Sequence, residues 1–220
     1  MRNVVTTVYQ FAELSDAAKE KAREWYRRAN DGDNYWSESV IEDAAEIAGM
    51  MGIDLRQRAV KLYGGGTRYE PAIYWSGFWN QGDGACFEGT WRASDVKLGA
   101  VAKHVGDSEQ CLEVKRIATE FERLAKEFPE ASFSVKHRGH YQHENCTEFD
   151  FTLDGGDELT EAQSARVDDA EDELKEAAKD FMRWIYRQLE KEYEYQNADE
   201  QVDESIIANE YEFEKDGSRA

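Results

Sequence analysis

Apolar positions along the chain change period several times, and each change marks an element. Residues 3–11, NVVTTVYQF, are β-branched and aromatic and predict a strand. Ser15 offers an N-cap with Asp16 in the first turn, and Leu14, Ala18, Ala22, Trp25 and Ala29 then recur at helical spacing. Gly32 and Asn34 interrupt that helix. Ser39 and Glu42 form a capping-box pair for a second helix, whose core face is Val40, Ala44, Ile47, Ala48 and Met51, with Gly52 as its stop.

From Ile53 to Trp91 the period falls to two. Ile53 and Leu55 share one parity and Val60 and Leu62 the other, which predicts a bulge near Gln57. Gly64-Gly65-Gly66 reads as a turn, followed by a strand from about Arg68 to Trp79. A tight turn at Gly82-Asp83-Gly84 and a strand from Ala85 to Trp91 complete an antiparallel meander. Asp107 and Gln110 box the start of a third helix, with Val114, Ile117, Ala118, Phe121, Leu124, Ala125 and Phe128 on one stripe and Pro129 after it. Phe133 and Val135, then Phe149, Phe151 and Leu153, alternate as a second hairpin.

Thr160 and Gln163 open the last long helix with another capping box. Its buried stripe is Val167, Ala170, Leu174, Ala178, Phe181, Ile185 and Leu189; a break is expected near Asn197 and a short edge strand at Tyr211–Phe213. With two prolines and no Ser/Gly linker, one α+β domain over 1–220 is expected: an antiparallel sheet of hairpins packed by several helices, with an acidic helical region over 159–209.

Charge sharpens this picture. The 220 residues carry 47 acids and 27 bases, a net of −20. Residues 1–153 hold 25 acids against 19 bases, whereas residues 154–220 hold 22 against eight, so less than a third of the chain carries most of the excess. Such a field repels nucleic acid and anionic membranes and attracts basic surfaces. The expected partner is therefore a basic protein or ribonucleoprotein complex, with no direct nucleic acid and no membrane. On the last helix Asp168, Asp172, Glu176 and Asp180 recur every four residues, about 6 Å apart along the axis, flanked by Asp169 and Glu173. The row lies opposite the apolar stripe and is expected to face solvent. Its spacing is close to that of phosphates along a nucleic-acid strand, so mimicry is one reading; an ordinary solvated face, interrupted by Lys179 and Arg183, is the other.

Chemistry-bearing motifs are sparse. His137, His140, His143 and Cys146 recur at intervals of three, but on a strand that spacing puts His137 and His140 on opposite faces, and turn or packing roles are expected over metal binding. Gly82-Asp83-Gly84 lacks the P-loop lysine and the dinucleotide glycine spacing, and one aspartate does not make a calcium loop. Trp79, Gln81 and Asp83 remain candidates for a partner-binding rim. A nucleophile elbow, a His-Glu-x-x-His and a Cys-x-x-Cys are all lacking, so no catalytic residues, no metal and no cofactor are assigned. Cys86, Cys111 and Cys146 are odd in number and widely spaced, which suits reduced thiols in a cytoplasmic protein. No apolar run approaches a membrane span, and the first residues do not have the form of a signal peptide.

Three stretches, TTVYQFAELSDAAKEKAREWYR, WSGFWNQGDGACFEG and Gly139-His140-Tyr141-Gln142-His143, with NEYEFEKDG at the far end, resemble a group of mostly uncharacterised phage and prophage proteins sometimes labelled antitoxin-like. The resemblance implies a mobile-element origin and a setting in an infected or lysogenic bacterium; it assigns no site residues. Together with the acidity it leads to the expectation of an inhibitor of a nucleic-acid-handling host complex, of the anti-CRISPR or anti-restriction kind. An antitoxin against a basic toxin, or a small metal or Cys–His enzyme, are the alternatives.

Overall fold

The computed structural model describes residues 7–152 and 160–220. In chain order its elements are β1 (Tyr9–Gln10), α1 (Asp16–Ala29), α2 (Ser37–Met50), β2 (Ile53–Leu55), β3 (Gln57–Lys61), β4 (Thr67–Pro71), β5 (Ile73–Trp75), β6 (Ala85–Phe87), β7 (Gly89–Arg92), α3 (Ala100–His104), α4 (Glu109–Glu127), β8 (Ser132–His137), β9 (Thr147–Thr152), α5 (Glu161–Asn197), α6 (Asp199–Ala208) and β10 (Glu212–Phe213). This is the expected α+β mixture of antiparallel sheets and helices with a long helix near the C-terminus. The start of the first predicted strand, residues 3–6, and Leu153 of the second hairpin lie outside the described residues.

The chain divides into two compact units, Met1–Glu38 with Glu190–Ala220, and Ser39–Leu189. In the first, Phe11, Leu14, Ala18, Ala22, Val202, Ile206 and Phe213 form the core, with Tyr9, Trp25, Tyr26 and Tyr211 packed around it. Ser15 caps α1 as expected, its hydroxyl accepting the Ala18 N–H. The break after Asn197 is also as expected: Ala198 is extended and α6 begins at Asp199. Arg23 holds Asp203 through two hydrogen bonds of 2.7 Å, tying α1 to α6. β1 pairs antiparallel with β10, the edge strand foreseen at Tyr211–Phe213.

The second unit is built on a four-stranded antiparallel sheet in the order β2-β7-β8-β9. Its core centres on Trp91, which stacks on Phe133 at 5.5 Å, lies 5.8 Å from Phe121 and donates its indole N–H to the Met51 carbonyl at 2.9 Å. That bond satisfies a polar group that burial would otherwise leave costly. The predicted hairpin of Phe133, Val135, Phe149 and Phe151 is present, with Phe133 opposite Phe151 and Val135 opposite Phe149. Two helix starts differ from expectation. α2 begins at Ser37, whose hydroxyl bonds the Asn34 carbonyl, and α4 is capped by Ser108. At α4 a neighbouring serine takes the role assigned to the predicted capping box, its hydroxyl accepting the Cys111 N–H at 3.4 Å; at α2 the Ser37 hydroxyl donates backward to Asn34, fixing the entry of the chain without capping the helix.

The meander is more divided than its period suggests. β2 and β3 part at Arg56, β4 and β5 at Ala72, and β6 and β7 at Glu88. At that level the three backbones close a ring: Arg56 N–H donates to the Glu88 carbonyl, Glu88 N–H to Ala72, and Ala72 N–H to Arg56, at 2.9, 2.9 and 2.7 Å. Three ribbons diverge from this junction, β2–β7, β3–β4 and β5–β6. The expected bulge near Gln57 is one side of it. The strand expected to reach Trp79 stops at Trp75, and the tight turn expected at Gly82–Gly84 is part of a longer connection over residues 76–84.

Candidate functional site

α5 is amphipathic as predicted: Ala170, Leu174, Ala178, Phe181, Ile185 and Leu189 are buried. The capping box also forms, with Thr160 N–H donating to the Gln163 side chain at 3.0 Å and Gln163 N–H to the Thr160 hydroxyl at 3.4 Å. The acidic residues opposite this stripe fall into two sets. Asp168, Asp169 and Asp172 are exposed, and among the described residues they form no ion pair. Glu173, Glu176 and Asp180 do have cationic partners. Arg123 and Arg166 hold Glu173 at 2.5 and 3.2 Å, Arg183 holds Glu176 at 3.3 Å, and Arg116 holds Asp180 at 2.7 Å. Arg183 also pairs with Asp180.

The reason is α4, which lies against α5 and presents Arg116 and Arg123 toward it. Trp184 fixes the contact by donating its indole N–H to the Gln110 carbonyl at 3.0 Å, and Arg187 pairs with Glu113. Glu127 of α4 in turn holds Arg166 of α5 at 2.7 Å. The Arg166 hydrogen bond holds the Glu127 carboxyl below its ordinary value; burial works to raise that of Glu173, and the hydrogen bonds from Arg123 and Arg166 together bring it below. The row faces solvent as expected at Asp168, Asp172 and Glu176, the last 61% exposed, and is partly covered at Asp180, 28% exposed; it is not a continuous row of unpaired carboxylates. Within the row and its flanking acids, those without an ion pair are Asp168, Asp169 and Asp172.

Glu171 sits among them. Burial raises its carboxyl above the ordinary value, and the charges of Asp168 and Asp172 raise it further. Beside it a groove of about 800 Å³ runs between β9 and α5, with Phe149 and Phe151 in its lining and Asp172, Glu171, Lys175 and the Arg138–Glu148 pair around them. The free carboxylates therefore adjoin an open surface with apolar content.

Trp79, Gln81 and Asp83 lie elsewhere. Asp83 accepts backbone N–H groups from Trp79 and Asn80 at 3.0 and 2.7 Å, which hold its carboxyl low against the opposing effect of burial. Its part is to shape the loop. Trp79 is 79% exposed at the loop's crest and Gln81 is exposed beside it. The Gly77 carbonyl of the same loop accepts the Tyr186 hydroxyl at 2.7 Å, so the loop meets α5 eighteen residues beyond Asp168, about 27 Å along the helix. The acidic turns and the Trp79 loop are two separate surfaces.

The histidine-rich stretch packs against that loop. A Cβ on Gly82 would meet the Tyr141 ring at 2.7 Å and one on Gly84 the His143 ring at 2.9 Å, which is why small residues stand there. His137 Nε2 lies 2.9 Å from the Tyr141 carbonyl, and His143 Nδ1 accepts the Asn145 N–H at 3.1 Å. Among the described residues no group of three or more His, Cys, Asp or Glu side chains is placed to hold a metal ion. Cys86, Cys111 and Cys146 are free thiols. No helix among the described residues is long and apolar enough to cross a membrane.

Sequence reasoning placed Arg183 on the acidic face but missed Arg116, Arg123 and Arg166, which pair with Asp180 and Glu173, and it missed a basic feature. Along β3, β4 and their turn, Arg58, Lys61 and Arg68 are opposed by Glu70 alone. That local reversal of sign was present in the sequence but hidden in a whole-segment sum.

Residues 36–199 match the model of a family described as a domain of unknown function (DUF8835). No curated protein and no solved structure matches the chain.

Proposed function

The chain belongs to the DUF8835 family, whose description leaves its role open, and we propose that it acts as a phage-type inhibitor that binds a basic surface of a nucleic-acid-handling host complex. The observation that carries this reading is the sorting of carboxylates on α5. Arginines neutralise Glu173 and Asp180, whereas Asp168, Asp169 and Asp172 stay unpaired beside a groove lined by Phe149 and Phe151. Like charges three and four residues apart weaken a helix by a few tenths of a kcal/mol per pair. A surface that costs stability and is left without partners fits one that gains them on binding.

In this mechanism lysines and arginines of the partner replace counterions around Asp168–Asp172, and an apolar side chain enters the groove. The complex excludes the nucleic acid that the partner's cations would otherwise hold, and its affinity falls steeply with salt. The resemblance to phage proteins and the net charge of −20 support the same reading. Affinity purification from an infected host at low and high salt tests it. A nucleic-acid-handling complex should be retained at low salt, released at high salt, and lost when Asp168, Asp169 and Asp172 are changed together to Lys. Retention by that triple variant defeats the proposal; capture of a single small basic protein encoded beside the gene makes the chain an antitoxin instead.

A further inference from the structure

The β3–β4 ribbon is unlike the rest of this acidic chain. Every residue from Arg56 to Tyr69 is exposed except Val60, which is half-buried, so neither face of the ribbon joins the core. A two-stranded ribbon is marginal in water by itself. This one is fixed at its base by the three-strand junction and along one face by Glu70, which binds Arg58 at 2.8 Å and Arg68 at 2.5 Å. At its tip Leu62 N–H donates to the Gly66 carbonyl at 3.2 Å, and Gly65 and Gly66 take φ of +83° and +108°, which glycine adopts without strain.

The chemistry is carried on the other face and at the tip. Tyr69 is paired across the ribbon with Ala59, whose small side chain leaves the ring 69% exposed, and Lys61 lies on the same face at the diagonal position. Lys61 forms no ion pair among the described residues. Tyr63 at the tip is fully exposed. Between Gln57 and Pro71 the net charge is +2 in a chain of −20. Five residue pairs extend about 16 Å from the junction at Arg56, roughly two screening lengths at physiological salt, so charges at the junction are largely screened at the tip.

We propose that this ribbon is a binding arm for single-stranded nucleic acid, with bases stacking on Tyr63 and Tyr69 and a phosphate held by Lys61 on the same face. Exposed aromatic rings interleaved with cations on an extended two-stranded element suit an unpaired strand, because every base offers a face for stacking whatever its identity. Duplex nucleic acid keeps its bases paired and stacked, out of reach of the tyrosines. The expectation that the chain repels nucleic acid follows from its total charge, and the arm is a local exception to it. This inference does not rest on the acidic surface of α5.

Fluorescence anisotropy of a labelled 12-nucleotide oligo(U) or oligo(dT) with the full chain tests it. Saturable binding is expected at low salt, falling with a log–log salt slope near −0.7 for about one phosphate contact. Tyr63→Ala and Tyr69→Ala should each weaken it by about five-fold or more, and Lys61→Ala should weaken it and remove most of its salt dependence. Unlabelled duplex should compete poorly. All three positions are exposed, and circular dichroism of each variant confirms that the fold persists. Three results would overturn the assignment: no anisotropy rise at about 100 μM protein, the weak end of non-specific affinity; binding unchanged in the Tyr63/Tyr69 double variant; or arm variants that leave oligonucleotide binding intact while dissociating a homodimer in sedimentation.

Discussion

Asp168→Asn combined with Asp172→Asn should stabilise the Ser39–Leu189 unit. The two substitutions remove four like-charge pairs at spacings of three or four: 168 with 171, 168 with 172, 169 with 172, and 172 with 176. At about 0.2–0.5 kcal/mol each, less one favourable pairing of Asp172 with Lys175, the gain is about 1 kcal/mol at low ionic strength. For a unit of this size that raises Tm by about 2–4 °C. Glu171 supplies an independent check on sign. Its carboxyl is raised by burial and then by these two charges, so the folded state disfavours its ionised form. The resulting penalty is present at neutral pH and disappears as pH falls through the raised folded value toward the ordinary one. Calorimetry at pH 7 and low salt should show the gain, and it should shrink both at high salt and at a pH below the ordinary glutamate range. A Tm that is unchanged or lowered at pH 7 and low salt refutes the like-charge account.

Other outcomes follow from single contacts. Gly217 has φ of +85°, and a Cβ there would stand 2.1 Å from the Ala18 carbonyl, so Gly217→Ala should cost well over 1 kcal/mol and speed hydrogen exchange in α1. Trp91→Phe strands the Met51 carbonyl in the core and should cost about 2–3 kcal/mol in denaturant unfolding. Lys21 holds the Asp216 carboxyl down at about 2, with help from Ser218. Stability from that contact is present above the ordinary aspartate value and is lost as pH falls toward 2; Lys21→Met should move the NMR-detected midpoint upward. Burial pushes the Cys86 thiol up to about 12, so native alkylation near pH 8 should label Cys111 and Cys146, with Cys86 reacting only after unfolding.

Local signals in the sequence were read well wherever their causes are local. The Ser15 cap, the Thr160–Gln163 box, the apolar stripe of α5, its end at Asn197 and the hairpin of β8 and β9 all arise from residues close together in the chain or from a simple period. What escaped depends on distant chain. Arg123 and Arg116 lie 50 and 64 positions before the acids they neutralise, and periodicity says nothing about which helix lies alongside. The backbone ring at Arg56, Ala72 and Glu88 has no composition signature, because its donors and acceptors are main-chain atoms. It is that ring which turns one predicted meander into three ribbons and sets the basic arm free of the sheet.

The central claim is that function resides in the unpaired carboxylates of α5 and not in its acidity as a whole. With the partner recovered by affinity purification, binding should be measured across a salt series for two neutralised variants, one changing Asp168, Asp169 and Asp172 to Asn and the other changing Glu173 and Glu176 to Gln with Asp180 to Asn. The first should lose affinity by at least about ten-fold and lower the log–log salt slope; the second should bind like the parent chain, its fold verified by circular dichroism. Equal losses in both, or a loss confined to the second, would contradict the account.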